Sequence, residues 1–408
     1  MSSCSAIATQ ARKTSPQGLN KSEDSKMNIF SLPCFTHRLG AVPVLILLAL
    51  LLELVGCSAH SSPVKKLAQD TSTTHFENNL TFNDVNLEQT NAQGKPVWNV
   101  KAKQAIYSND KKIAQVQNPK GELFQEGKVV YQITGDQGEL QQDGKKLFLK
   151  GHIVVKDPQN GVELHGNEME WRPGEDLLIV RNQLTITRQK MQITAQEARM
   201  YSRVSRMELQ GQVVALSSDP YVQVRTEHLT WQIKEQKLSS DARVQIDRVK
   251  GQAITDRATA NQADVDLKTK IVTLKQNAQL ALADPPLQVT SNELSWNLNA
   301  ETLTANQPLQ ALDRQQQVNV SATSGWVDLQ KKIVYLTGNV YGVGQRGQSL
   351  NSAQLTWYLP TRLFEANGNV VYHQIEPPAS FAGQKAVGRL EDQSVVVSGG
   401  GVVTQIVP

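Results

Sequence analysis

The residues able to carry covalent or acid–base chemistry are dispersed along the chain. His60, His75, His152, His165, His228 and His373 share no spacing that would set them around one metal ion or beside one nucleophile. Cys4, Cys34 and Cys57 all lie near the N-terminus, which leaves the remainder without a thiol nucleophile or a disulfide. The chain has no GxSxG elbow, no Walker loop and no GxGxxG opening a helix. His165, Glu168 and Glu170 come closest to a cluster and read as a solvated strand end. Asp110 with Lys111 and Lys112, and Asp143 with Lys145 and Lys146, read as hairpin turns. The expectation is a protein that is not an enzyme and needs no metal or cofactor. A net charge of +4 with 20% charged residues is an ordinary surface, which argues against nucleic acid as a partner.

The chemistry that remains is apolar binding. From about residue 134 onward the chain repeats roughly every 30 residues, alternating short strands with polar turns. One column of the repeat reads Leu140, Trp171, Tyr201, Trp231, Val265, Trp296, Val327, Trp357. A second column, Gly151, Asn182, Gly211, Ala242, Asn277, Gln307, Gly338, Gly368, reads as the turn before the next strand. Around the aromatic column the alternation is period two: Leu229, Trp231 and Ile233; Leu294, Trp296 and Leu298; Leu355, Trp357 and Leu359. One repeat cannot bury its apolar face alone, so the repeats must stack.

These elements predict an all-β fold, an elongated β-jellyroll or taco of antiparallel strands, as two packed sheets or one sheet folded over. Trp171, Tyr201, Trp231, Trp296 and Trp357, with Leu229, Ile233, Leu294, Leu298, Leu355 and Leu359, are expected to wall an apolar groove able to hold acyl chains. Such a stack ends in two open edges. Leu80, Phe82, Val85 and Leu87 mark the first. Val395, Val397 and Val402 mark the second, which carries no charged gatekeeper and is competent to pair with another chain.

The N-terminal segment reads separately. Val42 to Val55 is an apolar run too short to span a bilayer comfortably, and it ends in Leu54, Val55, Gly56, Cys57. This resembles a lipoprotein signal with Cys57 as the lipidated residue. The division is then 1–56 as extension and signal or anchor, 57–77 as a flexible tether, and 78–408 as the repeat domain, with Met27 an alternative start.

The stretch Leu80 to Lys112, with Pro96, Trp98, Val100, Ala102, Ala105 and Tyr107, resembles the opening of the LptC family, and the later repeats resemble the OstA-type repeat shared with LptA and the periplasmic part of LptD. The resemblance implies a periplasmic module that passes lipopolysaccharide along an apolar groove. It also implies docking of the N-terminal edge on an inner-membrane ABC transporter and of the C-terminal edge on an LptA-like bridge by strand addition. Anchoring to a membrane is expected, with the inner membrane favoured. Two features depart from the family pattern: a lipobox in place of an uncleaved helix, and a longer array. The competing reading is a structural or adhesive envelope lipoprotein with a filled core.

Overall fold

The computed structural model describes residues 80–251, 253–389, 394–401 and 403–406. All belong to one compact unit. Cys57, the expected signal and tether, and Val402 lie outside the described residues.

Among the described residues, twenty-eight strands form a single antiparallel sheet in which each rung pairs with the next along the chain, from Leu80–Thr90 to Val403–Ile406. Seven rungs are split into two strands, as in Ile113–Gln117 with Lys120–Gln125, or Thr302–Ala305 with Leu309–Asp313. Pro119 and Pro308 occupy these two breaks, where a missing N–H ends the ladder at no further cost. At about 4.8 Å per rung the array runs for roughly 100 Å.

The glycine and asparagine column is not a set of hairpin turns. Gly151, Asn182, Gly211, Asn277, Gly338 and Gly368 lie inside long strands, and the pairing register shifts beside each of them. Each has positive φ and neighbours a second such residue, for example Gly151 (75°) with His152 (41°) and Asn277 (56°) with Gln276 (61°). Stacked bulges of this kind bend every rung at the same place and fold the sheet along one crease. At Gly151 a Cβ would collide with the Asp136 carboxylate of the adjacent rung, so the crease there also needs the absent side chain. Ala242 and Gln307 fall in rungs split at the crease.

The crease divides the sheet into two facing halves. In Leu147–Asp157, Leu149 lies on one side of the bulge and Ile153 and Val155 on the other, and all are buried. Tyr131 and Trp171, from opposite halves, meet edge to face with centroids 5.8 Å apart. The interior holds two abutting clusters, one from Trp98 to Leu238 and one from Val222 to Ala386. Val224 and Val265 pack against both.

Candidate functional site

The site is the interior between the half-sheets and the two rows of hairpins, or lips, that border its mouth. One lip includes the turns at 108–112, 142–146, 173–176, 202–205, 233–236, 267–270, 298–301, 329–332 and 359–362. The opposite lip includes those at 126–127, 158–161, 189–190, 219–220 and 283–286.

Most of the predicted wall residues come together. Trp171, Trp231, Trp296 and Trp357 are buried in the first half-sheet with Leu229, Leu294 and Leu355 beside them. Ile233, Leu298 and Leu359 lie one step further on, in the lip itself. Their backbone N–H groups donate to the carbonyls of Ser205, Lys270 and Lys332 on the preceding turns at 3.0, 3.0 and 3.1 Å. Leu267 and Leu329 repeat the pattern, donating to Gln236 and Glu301. This ladder turns one apolar side chain per repeat beneath the mouth. Leu267 and Leu329 were missed, although their spacing from Ile233 and Leu298 carried the signal.

Tyr201 does not belong to the wall. It is half-exposed on the outer face, its ring lies 4.5 Å from the Arg206 guanidinium, and its hydroxyl donates to Glu208 at 3.2 Å. Met200, paired with Met207 and Leu178, takes the interior position instead. The strand turns at Ser202–Val204 one residue earlier than equal spacing requires.

The interior is strongly apolar. Burial, with the negative charges of Asp157 and Asp176 adding to it, raises the Tyr131 phenol far above its usual range. Against this background the indole N–H groups of Trp98, Trp171, Trp231 and Trp296 are buried without an acceptor. Each is a donor whose burial costs about 1–3 kcal/mol until it is satisfied. Two arginines from the opposite half-sheet reach across to these rings: Arg188 lies 5.7 Å from Trp231, and Arg248 lies 5.5 Å from Trp296.

Among the described residues, ion pairs bridge the mouth at three places. Arg203 meets Glu126 at 3.1 Å, Arg248 meets Glu301 at 3.3 Å, and Lys332 meets Asp284 at 2.7 Å. On the outer face, Asp247 is fully buried beneath Arg225, Arg257 and Gln245. Burial pushes its carboxyl up, but the bonds from Arg257, Gln245 and Arg225 outweigh this and hold it below its ordinary value.

The groups that suggested acid–base chemistry have structural partners. Asp110 and Asp143 accept turn N–H bonds from Lys112 and Lys145 at 3.1 and 3.0 Å. His165 meets Glu163, whereas Glu170 pairs with Arg172 and Arg181. Among the described residues no three His, Cys, Asp or Glu side chains gather as a metal site.

Both sheet edges lack a partner strand among the described residues. Leu80–Thr90 pairs only with Pro96–Tyr107, leaving Leu80 and Phe82 about half exposed while Val85 and Leu87 pack on the first cluster. At the other end Val395 and Val397 pack on the second cluster, and Val396 between them is 69% exposed. No helix among the described residues is long and apolar enough to cross a membrane.

Fold and site together define a β-protein organised around an apolar interior with bordered lips. The family described as lipopolysaccharide-assembly, LptC-related, matches residues 44–215 and again 177–283, more than half of the chain. The chain belongs to that family, a periplasmic envelope family of lipid transport in which catalysis plays no part. No curated protein matches it.

Proposed function

We propose that this protein carries the acyl chains of lipopolysaccharide between its half-sheets, moving the glycolipid from an inner-membrane ABC transporter toward the outer membrane. The observation that carries this reading is the row of acceptorless indole N–H groups along an otherwise apolar interior. Ester and amide carbonyls at the heads of acyl chains are acceptors of the kind these donors lack, and each buried methylene adds about 0.8 kcal/mol. Family membership supports the cargo class.

The half-exposed Leu80 and Phe82 suit docking of the first edge on the transporter, and the ungated Val395–Val397 edge suits strand addition to an LptA-like bridge. An array of roughly 100 Å would take over part of the bridging. Cys57 is proposed as the lipidated anchor, on the inner membrane.

Photo-crosslinking side chains at Trp231 and Trp296, in the full chain in cells making lipopolysaccharide, test this. Glycolipid adducts are expected there and not at the adjacent outer-face positions Gln232 and Asn297. A folded protein giving no adduct at either interior position means a filled core and a structural protein.

A further inference from the structure

The aromatic column is interrupted between Trp231 and Trp296 by Val265, a much smaller side chain. Val265 and Leu267 remain half-buried, whereas the equivalent pairs Trp231 with Ile233 and Trp296 with Leu298 are buried. The result is an apolar gap of about 50 Å³ at the mouth, lined from one half-sheet by Val265, Leu267 and Leu298 and from the other by Met191, Val222 and Val224. It lies where the two core clusters abut. The Arg188–Trp231 contact borders it on one side and the Arg248–Trp296 contact on the other. The ion pairs Arg203–Glu126 and Arg248–Glu301 also fall on either side, and none spans the mouth between them among the described residues. Lys270 stands at the opening and makes no ion pair among the described residues, its charge acting at longer range on Asp219, which also holds Lys190 at 2.7 Å.

We propose that this gap is a lateral seat for the end of one acyl chain of a phosphorylated glycolipid, with the Lys270 ammonium meeting the anionic headgroup outside. The assignment rests on the function proposed above and adds a place and a charge to it. An apolar lining with two lysines to one carboxylate at its mouth, Lys190 and Lys270 against Asp219, matches an amphiphile with an anionic head. The present volume admits a chain end only, so a longer chain parts the half-sheets at the stretch that no ion pair ties together. Val265 is the determinant, because a tryptophan there would continue the column and fill the gap.

The test is photo-crosslinking at Leu267 in the full chain in cells, with Trp296 as the interior reference and the adduct mass read by mass spectrometry. Glycolipid adducts are expected at both positions. Val265→Trp is expected to lower the Leu267 yield about tenfold and leave the Trp296 yield unchanged, and Lys270→Glu to lower the Leu267 yield about threefold. Adducts at Trp296 but none at Leu267, or a Leu267 yield indifferent to both substitutions, would overturn the seat and leave the interior pathway standing. Free fatty acid as the sole adduct at Leu267 would overturn the glycolipid assignment. No adduct at either position would instead count against the interior pathway itself.

Discussion

The same lip is built differently at its two ends. From Ile233 onward, the residue that donates to the preceding turn is apolar in five repeats: Ile233, Leu267, Leu298, Leu329 and Leu359. Earlier in the chain that position holds Gln142 and Ser202, and the cross-mouth tie is the surface pair Arg203–Glu126, with both side chains more than 60% exposed. An exposed pair contributes about 0–1 kcal/mol, whereas a buried leucine contributes about 1.5–3 kcal/mol. The N-terminal mouth is therefore easier to part than the stretch from Leu298 onward, although both ends share the same crease and the same buried tryptophans. Rigidity of the interior and ease of opening are set by different residues.

Substitutions can separate these two properties. The largest effects belong to the shared interior: Trp171→Ala and Trp296→Ala are each expected to cost about 3–5 kcal/mol in denaturant unfolding, so a large difference between them would break the equivalence of the two cores. Asp247→Asn, where the two clusters abut, is expected to cost about 2–3 kcal/mol at pH 7, discounted because both arginines are partly exposed. The Asp247 carboxyl is depressed in the fold, so its contribution is present above the ordinary aspartate range and lost as pH falls through the lowered value. Acid titration of stability should accordingly be shallower in the variant than in the parent.

The lips give smaller and unequal effects. Leu298→Ala should cost about 2–3 kcal/mol and speed amide exchange at 298–301, whereas Ser202→Ala should change stability by less than about 0.5 kcal/mol. Equal costs would remove the distinction between the two ends. Smallest of all, Arg203→Gln should leave stability nearly unchanged and abolish the salt dependence of amide exchange at the 202–205 turn.

Much of this was legible in the sequence because it is local. Alternation around Trp231 and Trp296 gave strands and their buried face, and the 30-residue period gave the stack. The crease was misread as a row of turns because positive φ at Gly151 or Asn182 serves a hairpin and a bulge alike, and only pairing on both sides of the strand decides between them. Tyr201 was misplaced because equal spacing outweighed its local phase. Ala198 and Met200 already marked the inward positions, which leaves Tyr201 facing out. The cross-mouth pairs join residues as far apart as Glu126 and Arg203, and no short-range pattern announces them.

The central claim is that the half-sheets part to admit an acyl chain. Spin labels on unnatural side chains at the exposed lip positions Lys128 and Val204 would report the width of the N-terminal mouth by pulsed dipolar spectroscopy, with and without lipopolysaccharide. The account predicts a distribution shifted outward by several ångström when the glycolipid is bound; an unchanged distribution under conditions where crosslinking proves binding would contradict it.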